Sequence, residues 1–210
     1  MLIKIVFSIA LLVVLSVTAA FFWQLFGYKV AEPKYVVSKS DGPIEIRQYS
    51  EIIVAQVAVD GERYKAINSG FRVLAGYIFG DNQPKEKISM TAPVMQESTN
   101  IAMTSPVTQQ LVAGNWVVRF VMPAKFTMAT LPKPNNPKIH FVIVPSREYI
   151  VIRFAGFNTD QNLQKNHKLL LEYITKNKIN TTGTPIMAFY NPPWTFPFLR
   201  RNEIMIELVK

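Results

Sequence analysis

Ile44-Glu45-Ile46-Arg47-Gln48-Tyr49-Ser50-Glu51-Ile52-Ile53-Val54-Ala55-Gln56-Val57-Ala58-Val59 is matched by Ile139-His140-Phe141-Val142-Ile143-Val144-Pro145-Ser146-Arg147-Glu148-Tyr149-Ile150-Val151-Ile152-Arg153-Phe154. Both runs are rich in β-branched and aromatic residues, and both break in the middle at a short turn containing serine. Each reads as a hairpin. Each is followed by a glycine, Gly61 or Gly156, and then by a helical pattern.

In the first helix Tyr64, Ile67, Phe71, Leu74, Ala75 and Ile78 fall on one apolar face. Asp60 and Glu62 stand at its start and Gly80 just beyond its end, where dipole and C-cap preferences place them. In the second, Leu163, His167, Leu170, Leu171 and Ile174 make the stripe, with Asp160 in the first turn and Lys176 and Lys178 near the last. A methionine-bearing segment running into proline follows each helix: Ile88 to Val94, and Ile186 to Pro192. A hairpin, a helix and a strand thus occur twice, with a period near 95 residues. That is too long for a solenoid. It predicts a duplicated unit whose strands join in one α+β domain; the alternative is a chance likeness of two α+β segments. Trp116 to Met122 adds a strand. A connection with Pro123, Pro132, Pro134 and Pro137 reads as the longest loop of the domain.

The 210 residues suit one domain with an appendage, and half of them are apolar. The net charge is +9, but the basic residues are scattered, which argues against a nucleic-acid partner. The absence of cysteine excludes disulfides, Cys-zinc sites, covalent c-type haem attachment and a cysteine nucleophile. No Gly-x-Ser-x-Gly, HExxH or phosphate-loop motif is present, so the chain reads as a non-enzyme.

Ile5 to Phe26 is apolar except for Ser8, Ser16, Thr18 and Gln24. At about 1.5 Å per residue it is long enough to cross a ~30 Å hydrocarbon layer. Trp23, Tyr28 and Lys29 suit an interface. The expectation is a transmembrane anchor over 1–27, a linker over 28–34 and a domain over 35–210 on the outer side. A cleaved signal ending near Val17-Thr18-Ala19 is the alternative, and would give a secreted protein. Against it, the mature chain would begin close to Phe21-Phe22-Trp23.

Near the C-terminus, Pro192-Pro193-Trp194-Thr195-Phe196-Pro197-Phe198-Leu199-Arg200-Arg201-Asn202-Glu203 is a stiff aromatic loop feeding a last strand, Ile204 to Leu208. Met90-Thr91-Ala92-Pro93-Val94 is echoed by Met103-Thr104-Ser105-Pro106-Val107. With Gly70-Phe71-Arg72-Val73-Leu74-Ala75-Gly76-Tyr77-Ile78-Phe79-Gly80-Asp81-Asn82, these motifs resemble the SOUL haem-binding protein family from about Tyr35 to Leu208. The resemblance implies a distorted antiparallel β-barrel flanked by two helices and built from a duplicated βαββ unit. It also implies non-covalent binding of haem or another tetrapyrrole in a shallow apolar groove beside a helix. At fold level the chain is also similar to bacterial domains that hold small organic effectors.

Haem needs an apolar slot, a cation for its propionates and sometimes an axial donor. On the first helix, Tyr64, Ile67, Phe71, Ala75 and Ile78 are the candidate slot. Lys65 and Arg72 are the candidate cations, with solvated helix surface as the plainer account of both. His167 is the candidate axial donor, its plainer account being a boundary imidazole satisfied by a neighbour. His140, Met90 and Met103 read as structural, with metal ligation as the sharper alternative for each. Arg200 and Arg201 read as braces to Glu203 or Glu207. Trp194 and Phe196 either cap a groove or bury against the end of the sheet. An effector or hydrolase pocket, and a structural envelope protein with the Pro-Pro-Trp loop as a partner site, are the competing functions.

Overall fold

A computed structural model describes residues 30–98 and 114–209, together with positions 9, 11, 12, 15, 16 and 18. A compact unit runs from Ala31 to Lys210, separate from a unit of Met1–Val30. Among the described residues no helix is long and apolar enough to cross a membrane. Most of the stretch expected to be an anchor, and the Met103 to Val107 motif, lie outside the described residues.

The strands are β1 (Tyr35–Asp41), β2 (Ile44–Tyr49), β3 (Ile52–Gly61), β4 (Asn82–Gln83), β5 (Val94–Ser98), β6 (Gly114–Val121), β7 (Lys133–Pro134), β8 (His140–Val144), β9 (Arg147–Phe154), β10 (Thr181–Phe189) and β11 (Asn202–Leu208). Helix α1 (Arg63–Ile78) follows β3 and α2 (Asp160–Lys176) follows β9. Nine strands form one antiparallel sheet in the order β1-β2-β9-β11-β10-β5-β6-β3-β8, and β4 pairs with β7 apart from it.

The two expected hairpins do not form. β2 pairs with β9, and β3 pairs with β8, so each run sends its halves to opposite ends of the sheet. The connections Ser50-Glu51 and Pro145-Ser146 contain no residue with positive φ. A two-residue hairpin needs at least one, so the chain crosses a corner instead of folding back. Two connecting residues reach at most about 11 Å, which curls the sheet until the end of β2 meets the start of β3. The ladder does not close into the expected barrel, since no pairing joins β1 to β8 among the described residues.

The registers repeat. β3 pairs Ile52 with Val144 and Val54 with Val142, while β9 pairs Arg147 with Tyr49 and Tyr149 with Arg47. Residues 95 apart therefore exchange places (Ile52 with Arg147, Val54 with Tyr149, Tyr49 with Val144), as a duplicated unit requires.

Strand alternation gives the sheet two faces. One is covered by helices. Leu74, Tyr77 and Ile78 of α1 pack with Ala55, Val57, Val118 and Phe120, and Leu163, Leu170 and Ile174 of α2 pack with Ile150, Ile152, Ile204 and Ile206. Gly70 lets α1 approach closely, because a Cβ there would stand 2.7 Å from the Cβ of Val118. The Thr159 hydroxyl caps α2 by accepting from the Asn162 N–H at 3.3 Å. On the inner face a third cluster gathers Val54, Met95 and Val121 with Ile52, Val144 and Ile186.

Candidate functional site

The expected ligand face of α1 divides in two. Ile67, Ala75 and Ile78 are buried in the helix–sheet core. Tyr64, Lys65, Phe71 and Arg72 are exposed together on the opposite margin. The reason is the pitch: the buried row is Arg63, Ala66, Ile67, Gly70, Leu74, Tyr77 and Ile78, and a stripe drawn through Tyr64 and Phe71 runs along its edge. Phe71 is 37 % exposed yet rests edge-on against buried Phe120, with ring centroids 5.3 Å apart. The result is a shallow aromatic shelf rather than an enclosed slot. Lys65 pairs with Glu62 at 3.2 Å. Arg72 has no hydrogen bond or ion pair among the described residues.

His167 is not brought to this shelf. It lies on α2, which packs against β9 and β11, whereas α1 packs against β3 and β6. It shares the buried face of Leu163 and Leu170, its Nε2 is buried without a hydrogen-bond partner among the described residues, and burial holds its pKa below the ordinary imidazole value. His140 is an exposed residue of β8 opposite Gln56. Met90 packs against the α1 core.

Arg200 and Arg201 brace the fold. Arg200 donates to the carbonyls of Thr195, at 2.8 Å, and Pro193. Arg201 pairs with Glu203 and with Glu32, both at 2.8 Å. Glu207, the other expected partner, is taken by Arg147. Trp194 and Phe196 are exposed rather than buried against the sheet.

Sequence reasoning passed over the inner face. A cavity of about 300 Å³ opens there around the junction of β5 and β10, lined by Ile52, Met95, Val142, Val144 and Ile186 on one side and by Tyr49, Arg147, Tyr149 and Glu207 on the other. Arg119 pairs with Glu97 and Arg147 with Glu207 across its floor, and Thr184 donates to Glu97 at 2.5 Å. Burial, and then the charge of Glu203, push the Tyr49 hydroxyl up to about 12. Burial, and then Glu207, raise Tyr149. Both phenols therefore stay protonated at neutral pH. Beside the cavity, Glu203 is fully buried and accepts from Arg47 at 2.9 Å, from Tyr190 at 2.8 Å and from Arg201. The signal that could have found this wall was the repeat itself. Arg47 and Tyr49 occupy the places of Val142 and Val144, so a face that is apolar in one half had to be enclosed in the other.

The SOUL heme-binding protein family model matches residues 30–207. Heme-binding protein 2 of Mus musculus is 25% identical over 176 residues, covering 81% of this chain and 80% of that protein. Among solved structures, the EcmrR C-terminal domain superposes with a TM-score of 0.59 at 13% identity, over 84% of this chain and 98% of that one. A hydrolase from Listeria innocua superposes with a TM-score of 0.53 at 9% identity, over 82% and 94%. Likenesses this remote bear on the fold alone. The family match spans the sheet, both helices and the aromatic loop, and the chain belongs to the SOUL heme-binding protein family.

Proposed function

We propose that this chain binds haem or a related tetrapyrrole non-covalently on the open shelf of α1, without catalysing a reaction, as a domain tethered to a membrane by residues 5–26. The observation that carries the site is the grouping of exposed rings, Tyr64 and Phe71, with exposed Arg72, which has no hydrogen bond or ion pair among the described residues. A flat apolar macrocycle stacks on such rings, and its propionates suit a guanidinium that can bind a carboxylate through two hydrogen bonds. Tyr64 adds a phenolic oxygen to the shelf. His167, on the other helix, takes no part. The carboxylates of the inner cavity are each held by an arginine, which leaves neither poised as a free acid or base.

A second reading is a small-molecule pocket on the inner face, favoured by the cavity between β5 and β10. One titration separates the two. Haemin added to the protein gives a saturable Soret shift at micromolar concentration. Phe71→Ala weakens it by about five-fold, the worth of one aromatic contact. Met95→Trp, which fills the inner cavity, leaves it intact. Absence of a saturable shift overturns tetrapyrrole binding. Loss in Met95→Trp with retention in Phe71→Ala moves the site to the cavity.

A further inference from the structure

The nine-stranded sheet ends at β1 on one side and at β8 on the other, and among the described residues nothing pairs with the outer side of either. Only β1 carries the features that keep a free edge from pairing. Its register shifts between Val37 and Lys39, and Lys39 and Asp41 stand along it. β8 reads His140-Phe141-Val142-Ile143-Val144, with no lysine, acid or proline and an unbroken register. Val142 is 37 % exposed and Ile143 47 %. An apolar edge of this kind is a template for another strand.

The duplication says what kind of cover is missing. Residues 95 apart are equivalent, so β8 answers to β2, and the outer edge of β2 is covered by β1. The segment equivalent to β1 runs from Thr130 to Asn136, and it is diverted. Leu131 enters the α1 core, Lys133–Pro134 pairs with β4, and Pro132 and Pro134 have no N–H to give to a ladder. The backbone of β8 is left pointing outward. The Ile53 carbonyl accepts from the Met122 N–H at 2.8 Å, so Ile53 is turned toward β6. By alternation Ile52, Val54 and Gln56 are turned toward β8, where they bond Val144, Val142 and His140. Phe141 and Ile143 therefore present their N–H and C=O groups to the free edge. Their equivalents in β2 are Ile46 and Gln48, and the Ile46 carbonyl accepts from the Ser38 hydroxyl of β1 at 3.2 Å.

We propose that β8 pairs antiparallel with β8 of a second copy of this chain, about a two-fold axis at Val142. In this register the strand is complementary to itself. Phe141 of one copy lies opposite Ile143 of the other, and the two exchange both backbone bonds. Val142 faces Val142, and His140 faces Val144, as pairs without backbone bonds, whose side chains come closest. Lys138 falls opposite Ser146, so no like charges meet directly although each chain carries +9. The pairing also completes the inner cavity. His140 shares the strand face of Val142 and Val144, which line that cavity, so the dimer brings His140 of the partner subunit to its rim.

The test uses the full chain, solubilised in a non-ionic detergent at micromolar protein, where it is expected to sediment as a dimer. The sequence has no cysteine, so a single introduced one reports on the pairing. Across a pair without backbone bonds the Cα atoms lie about 4.5 Å apart, within the span of a disulfide. Val142→Cys is therefore expected to cross-link the dimer on mild oxidation, whereas Val36→Cys on β1, a more exposed position, is not. Ile143→Pro removes an outward N–H and leaves the bonds to β3 in place; it is expected to weaken the dimer about ten-fold or more with melting unchanged. Ile143→Lys keeps every backbone bond of the monomer and should also dissociate the dimer, by setting two like charges beside the axis. A wild-type chain that sediments as a monomer overturns the proposal. A dimer that survives both substitutions uses another surface and overturns it too. Cross-linking of Val142→Cys to Val36→Cys but not to itself, with species growing past the dimer, places β1 on this edge and overturns the two-fold pairing.

Discussion

The two halves of the sheet share a register but not a chemistry. Where the first half places Ile52, Val54, Val142 and Val144 on the inner face, the second places Arg147, Tyr149, Arg47 and Tyr49. Val54 pairs with Val121 as Tyr149 pairs with Glu207, and Ala58 pairs with Val117 as Arg153 pairs with Glu203. At all seven of these positions an apolar residue, six of them β-branched valine or isoleucine, corresponds to a charged or phenolic residue in the other half. The helix-covered faces have not diverged in this way. Ile67, Leu74 and Ile78 answer to Leu163, Leu170 and Ile174. Backbone pairing and helix packing thus preserve the fold, while one wall of the inner face has been rebuilt with ion pairs. Such pairs add less stability than apolar packing of equal volume, but they are costly to break singly.

Making the second half resemble the first is therefore the most damaging change. Glu203→Val installs the residue of the other half, but removes the fully buried carboxylate shared by Arg47, Arg201 and Tyr190, leaving Arg47 only the partly exposed Glu45. The expected loss is about 3–5 kcal/mol in urea unfolding. Adding Arg47→Val, which completes the exchange at that pair, should make the total smaller than the sum of the two single losses. Strict additivity would show that the network is not coupled. A smaller effect follows from the helices. At the position aligned with Asn166 of α2, α1 carries Gly70. Gly70→Ala drives a methyl into Val118 and should cost about 1–3 kcal/mol despite the better helix propensity of alanine. Pairing it with Val118→Ala, which opens room, should recover part of that loss.

These contrasts also mark what the sequence made legible. Strand and helix positions follow from local periodicity, so α1, α2, β6 and β11 were readable, as was the duplication. Strand partners are not local. Ser50-Glu51 and Pro145-Ser146 look like hairpin turns until the absence of a residue able to hold positive φ is given weight. The inner wall was hidden for a related reason. Glu45 and Glu207 alternate with apolar residues, the ordinary pattern of a strand with one face in water, while Tyr49 and Arg147 stand beside polar Gln48 and Glu148, and only the curl of the sheet encloses this wall. On α1, Tyr64 and Phe71 were counted into the buried stripe because a seven-residue spacing drifts around a helix of 3.6 residues per turn.

The same alignment of helices sets Phe71 of α1 against His167 of α2 and leads to the smallest effect. Phe71 is partly out of the core and is the proposed ligand contact; His167 is largely enclosed, and its Nε2 has no hydrogen-bond partner among the described residues. Burial disfavours the imidazolium, so the folded-state pKa lies below the unfolded value near 6.5. As pH falls through 6.5 the unfolded chain takes up the proton first, and stability declines until the folded value is passed. Above 6.5 this contribution is fully present. Thermal unfolding followed from pH 7.5 down to pH 5 should therefore show a fall in melting temperature that His167→Phe, the residue of the other helix, flattens. Haemin affinity should be unchanged by the same substitution. A pH slope that survives His167→Phe would assign the acid sensitivity elsewhere, and a lost Soret shift would return His167 to the ligand site.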